Sequence, residues 1–168
     1  LIAMSACIAG EIPRALIAGD YEKAKQKALW YKSVFGEENF YLELQNHGIR
    51  EQKQIEPSMI KLANETGIGL VATNDTHYVL REDSKTQKIL ICVATNTTLD
   101  QESSLEFQTD EFYLKSEKEM SDLFSHVPQA IENTQKIADM CNFDFEFGNT
   151  KLPHFDVPDG RDHFEWFK

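Results

Sequence analysis

A chain of 168 residues, 41% hydrophobic and 27% charged, has the length and composition of one ordinary globular domain and excludes a fibrous or disordered protein. With 28 acidic against 17 basic residues its formal charge is −11, which excludes a general grip on a nucleic-acid backbone unless metal ions or another part of the molecule supply the attraction. No apolar run is long enough to span a membrane, nothing reads as a signal peptide, and Cys7, Cys92 and Cys141 form no C-x-x-C pair; the expectation is a reduced, cytoplasmic protein without membrane contact.

In chain order, residues 1–5 read as a buried strand left through Ser5-Ala6-Cys7, followed by a short helix over residues 12–17 with Pro13 in its first turn. Asp20 is a good N-cap for a helix over residues 21–35, with Ala24, Ala28, Tyr31 and Phe35 at helical spacing and Gly36 as its stop. Residues 40–44 form a second strand with Glu43 in an otherwise apolar run. A long helix over residues 50–65 turns Ile55, Met59, Ile60, Leu62 and Ala63 inward and ends at Gly67. Residues 69–73 are the third strand, which ends at Asn74-Asp75-Thr76-His77. A helix over residues 83–93 follows, with Ile89, Leu90 and Val93 as its core contacts and Cys92 on its apolar face.

Three strand–helix units in succession predict an α/β fold with parallel strands and right-handed crossovers, in a barrel or an open sheet. Three strands cannot close a barrel. The start at Leu1 and the helix-like residues 163–168 both look cut, so the chain is expected to be a piece of a longer protein. After residue 94 the character changes. A polar loop leads to extended pieces around Phe107, Phe112 and Leu114, and Ser116 with Glu119 fits a capping box. Pro128 opens another helix, through Ile131, Ile137 and a core Cys141, and residues 142–160, holding Pro153 and Pro158, read as a connector. The expected division is 1–100, an α/β layer, and 101–168, a connector.

The chemistry concentrates at strand ends. In extended chain, Asp75 and His77 point to one side. They leave the C-terminal end of a strand, where α/β folds keep their sites, and can address one metal ion; a turn aspartate beside a surface histidine gives the same pattern. Cys7 holds the equivalent place after the first strand. Thiolate, carboxylate and imidazole suit zinc or a similar cation, while a lone cysteine also serves as a small buried hydrophobe. Glu43 and His47 flank the second strand's end and are expected to support the ligands from outside; a buried structural ion pair for Glu43 and a plain turn role for His47 stand beside that reading. Isolated His126, His154 and His163 are assigned to the surface. No Ser-His-Asp order, Walker loop or G-x-G-x-x-G is present.

The blocks running from Ser5 to Leu16, Phe40 to Gly48, Leu70 to Tyr78 and Asp110 to Lys115 resemble, in order and spacing, the alpha subunit family of bacterial DNA polymerase III, the C-family replicative polymerases. The resemblance covers nearly the whole chain and falls on the C-terminal half of the polymerase-and-histidinol-phosphatase (PHP) domain plus the lead into the palm. It implies a distorted β/α barrel, here seen in part, with a metal centre at the strands' C-terminal ends. Cys7 matches the family's cysteine before Gly10-Glu11, and Asp75 and His77 match its closing D-x-H; an H-x-H would lie upstream. The resemblance further implies divalent zinc, manganese or magnesium at that centre, a 3′–5′ proofreading exonuclease, and DNA-templated synthesis by a magnesium-dependent palm beyond Lys168. Its partners would be primer–template DNA, dNTPs and replisome subunits such as the sliding clamp, and the chain alone would not polymerise. A stand-alone PHP phosphoesterase and a non-catalytic structural PHP module are the alternatives.

Overall fold

Every βα unit expected from the pattern is present in the computed structural model, which describes residues 1–100, 107–152 and 155–168. The strands β1 (Ala3–Met4), β2 (Phe40–Leu44) and β3 (Gly69–Ala72) form one sheet in the order β1-β2-β3, both pairings parallel. Helices α1 (Glu11–Ile17) and α2 (Tyr21–Phe35) link β1 to β2, and α3 (Arg50–Thr66) links β2 to β3. A 3₁₀ turn, Arg81–Asp83, opens α4 (Ser84–Thr95), and α5 (Glu117–Leu123), α6 (Pro128–Met140) and α7 (His163–Phe167) follow. The expected partial barrel is, among the described residues, an open sheet. β1 shrinks to two paired residues, although Ser5 prolongs the ladder by donating its N–H to Tyr41 O at 3.0 Å.

Local chemistry accounts for the boundaries. Asp20 caps α2 by accepting from Lys23 N–H at 3.0 Å, and Gly67 closes α3 in the left-handed region at φ 67°, where a side chain would be strained. Ser116 and Glu119 form the expected capping box of α5, and Pro128 stands at the start of α6, where a missing N–H costs nothing.

The core lies between the sheet and its helices. Phe40, Leu42 and Leu44 of β2 and Leu70 and Ala72 of β3 meet Ile12 and Leu16 of α1, Ala24 and Ala28 of α2, and Ile55, Met59 and Leu62 of α3. The same cluster includes Phe124, Val127 and Ala130, so core packing runs across the expected division near residue 100. Helix α6 packs on β3, and Asn133 Nδ2 donates to Leu70 O at 2.7 Å, which satisfies a carbonyl on an edge strand.

Two expected core assignments are corrected. Ile89, Leu90 and Val93 of α4 are 50%, 56% and 75% exposed, because the helix is seated through Cys92 and no described element covers their face. Cys141 caps the end of α6 in extended backbone and is exposed, whereas Cys92 is buried as expected.

Candidate functional site

Parallel pairing puts all three strand C-termini on one edge of the sheet. The residues that leave β1, β2 and β3 there carry Cys7, then Glu43 and His47, then Asp75 and His77. The grouping expected from sequence spacing is therefore a consequence of topology.

At the end of β3, Thr73 N–H still donates to Leu44 O at 3.0 Å, and then the chain turns sharply. Asp75 sits in the left-handed region at φ 43°, a conformation that aspartate tolerates better than most side chains. The turn brings Asp75 Oδ1 to 3.3 Å from His77 Nε2, and both side chains keep over a third of their surface exposed. The imidazole is walled by Phe107 and Phe112, with ring centroids 4.5 Å and 5.7 Å away. Residues 107–115 therefore belong to this edge: His77 N–H donates to Phe112 O at 2.8 Å, and Leu114 N–H to Tyr78 O at 3.1 Å. Beside the elbow, a groove of about 280 Å³ runs between α4 and this segment, with Phe107 as the shared wall and Lys85 and Lys88 on its rim.

His47 is wholly buried, stacked 4.2 Å from Phe112 with its plane almost parallel. Its Nε2 lies 2.6 Å from Asn74 O, and its Nδ1 2.9 Å from Gln52 Nε2. Burial pulls its pKa below the usual histidine value, outweighing the bond to Asn74. Glu43 Oε1 accepts from Thr73 Oγ1 in a short hydrogen bond and from Gln45 Nε2 at 2.9 Å. Both residues thus touch the root of the Asp75–His77 elbow. Glu43 has no Lys or Arg partner among the ion pairs of the described residues.

Cys7 is half-buried, on a turn made tight by two neighbours. Ala6 is left-handed at φ 63°, and a Cβ on Gly10 would stand 2.3 Å from Ser5 O. Gly10 N–H closes the turn by donating to Cys7 O at 2.8 Å. Cys7 and Glu43 line one small cavity of about 20 Å³, together with Gln45, whose buried Oε1 has no hydrogen-bond partner. Among the described residues no three of His, Cys, Asp and Glu stand close enough together to hold a metal ion. Asp75 and His77 form a donor pair by themselves, and Cys7 faces the same edge from its far side.

The spacing did not reveal Asn74, Lys115 or Gln52. Asn74 Nδ2 donates to Tyr113 O at 2.6 Å, and Lys115 Nζ donates to Asn74 Oδ1 at 3.2 Å from a side chain only 4% exposed. Arg81 joins the outer side of this segment through Asp110, Glu111 and the Tyr113 hydroxyl. The signal available in the sequence was a lysine set amid Phe112, Tyr113 and Leu114. His126 Nε2 lies at hydrogen-bond distance, 2.6 Å, from Glu56 Oε1 at the surface, and His154 lies outside the described residues.

Residues 1–47 match the PHP domain family, a match that ends at His47 and leaves the Asp75–His77 elbow beyond it. Over nearly its whole length the chain is homologous to DNA polymerase III alpha subunits. It is 45% identical over 159 residues to that of Borreliella burgdorferi and 42% identical over 158 residues to that of Treponema pallidum, in each case 94% of this chain and 14% of the relative. It is 34% identical over 174 residues to the Thermus aquaticus subunit, covering 100% of this chain and 14% of that protein. The chain thus spans about one seventh of the length of these relatives. No helix among the described residues is long and apolar enough to cross a membrane.

Proposed function

We propose that a chain homologous to these polymerase subunits serves as part of the PHP region of a replicative DNA polymerase, and that its sheet edge is one wall of a divalent-metal centre. Cys7, Asp75 and His77 are the ligands in this reading, with Glu43 and His47 holding the strand ends that carry them. The observation that supports it most directly is the Asp75–His77 pair, 3.3 Å apart and open to solvent at the C-terminal edge of a parallel sheet. The donor chemistry fits: a carboxylate and an imidazole suit zinc, manganese or magnesium, a thiolate favours zinc, and the unpartnered Gln45 oxygen adds an acceptor beside Cys7.

A metal ion at this edge would supply Lewis acidity for phosphodiester hydrolysis, the chemistry of a 3′–5′ proofreading exonuclease. The chain's own residues prepare for that task. Phe107 and Phe112 fix the plane of the His77 ring, and the left-handed turn at Asp75 aims its carboxylate at the same point. A centre of this kind also reverses, locally, the repulsion between a chain of charge −11 and a polyanion. For the whole polymerase we propose DNA-templated synthesis from dNTPs on a primer–template, with a magnesium-dependent palm and partners such as the sliding clamp. No residue of this chain is assigned to that step, and the chain alone is inactive in it. The second reading is a structural PHP module. It is favoured by the separation of Cys7 from the donor pair.

The test uses the full-length protein that carries this segment. Bound metal and 3′–5′ degradation of a single-stranded oligonucleotide are measured in the parent and in an Asp75→Asn, His77→Ala double variant. The expected result is loss of both. Unchanged metal content rejects the ligand assignment, and metal loss without exonuclease activity in either form leaves the structural module.

A further inference from the structure

We infer that Asn74, gripped by His47, Tyr113 and Lys115, is the positioning residue that turns Asp75 and His77 toward each other. What the elbow does rests on the metal reading above; how it is held does not.

Each polar group of Asn74 beyond its N–H is engaged. Its carbonyl lies 2.6 Å from His47 Nε2, its Oδ1 accepts from Lys115, and its Nδ2 donates to Tyr113 O and, at 3.1 Å, to Thr76 Oγ1. Three of these partners come from 27, 39 and 41 residues away, so the turn is imposed by tertiary contacts.

The proton on His47 can be placed by elimination. Gln52 Oε1 accepts the His47 backbone N–H at 2.8 Å, so the amide NH₂ of Gln52 faces His47 Nδ1. Nδ1 is therefore the acceptor, the ring proton is on Nε2, and that proton is donated to Asn74 O. A buried imidazole is thus committed, in one tautomer, to a backbone carbonyl. Lys115 is an equally expensive holder. An ammonium that is 4% exposed needs compensation, which it finds in the Glu111 carboxylate at 3.4 Å, the Glu111 carbonyl and Asn74. The left-handed Asp75 that follows persists where its surroundings over-determine it. His77 N–H, bonded to Phe112 O, ties the far end of the elbow to the same segment.

Two measurements on the full-length protein test this. The first is amide hydrogen exchange of residues 73–78 without metal. The second is Co²⁺ titration followed by visible absorption. Asn74→Ala and His47→Phe are expected to speed exchange at His77 and Tyr78 by about tenfold, the effect of about one lost net hydrogen bond. Co²⁺ affinity is expected to fall by about 10–100-fold. His47→Gln, which can return a donor near the Nε2 position, is expected to restore most of both. Unchanged exchange in Asn74→Ala and His47→Phe overturns the inference whatever Co²⁺ does, and so does a uniform rise that includes the Leu42 and Leu70 amides. Faster local exchange in a protein whose parent never binds Co²⁺ sustains the clamp and removes the metal reading. Should Asn74→Ala fail to fold, His47→Phe against His47→Gln carries the same test.

Discussion

The ends of β1 and β3 leave the same edge of the sheet and carry candidate ligands, yet they are built in different ways. The β1 end is a local device: Ala6 left-handed, Gly10 pressed against Ser5 O, and a backbone bond from Gly10 N–H to Cys7 O, all within six residues. The β3 end is held from a distance by His47, Tyr113 and Lys115 acting on Asn74. A turn wound mainly from backbone contacts tolerates few changes of its own residues, and its polar side-chain tie to β2 is Ser5 Oγ, which accepts from Glu43 N–H at 2.8 Å. An elbow held by buried side chains can be loosened by a substitution forty residues away, and by pH.

The largest expected effect breaks the local device. Gly10→Ala places a methyl 2.3 Å from a backbone oxygen that cannot swing aside, and should cost about 3 kcal/mol. Denaturant unfolding checks this, and a loss under about 1 kcal/mol would show that the turn yields. The next effect belongs to the β3 end. Burial lowers the pKa of His47 from 6.5, so below that value the unfolded chain binds more protons than the folded one. This contribution is complete above pH 6.5 and is lost as pH falls through the lowered folded value, at up to about 1.4 kcal/mol per pH unit. Melting temperatures at about pH 7.5 and about pH 5.5 should diverge more in the parent than in His47→Gln, and equal losses would contradict the assignment. A smaller effect is a gain. Ala6→Gly relieves a positive φ of 63° worth about 1–2 kcal/mol, less the entropy of a freer unfolded chain, for a net stabilisation of about 0.5 kcal/mol. Asp75→Asn at the matching position should be neutral in stability, since asparagine also accepts the left-handed region.

Much of this was legible beforehand because it is local. Helix α2 starts and stops at the expected residues since Asp20 and Gly36 punctuate it, and α5 opens at its capping box. Apolar spacing located Ile55, Met59 and Leu62 in the core. The same spacing misled at α4, where Ile89, Leu90 and Val93 look inward by pattern and face outward in fact; periodicity shows that a helix has an apolar side, not that something covers it. Division of the chain by composition near residue 100 likewise could not anticipate Phe124, Val127 and Ala130 joining the core.

At the elbow the division between the two sources is sharpest. By itself the sequence determined the residue types and the strand–helix order that gathers Cys7, Glu43 and His47 on one edge, while the extended alternation expected of Asp75 and His77 gives way to a left-handed turn at Asp75. Tertiary structure alone decided that Asp75 and His77 meet at 3.3 Å, that Cys7 stands apart from them, and that Asn74 is the residue on which distant groups converge. Periodicity and capping act over a few residues and are written in them. A hydrogen bond between buried groups forty residues apart depends on how whole elements pack, and is encoded in no single stretch of chain.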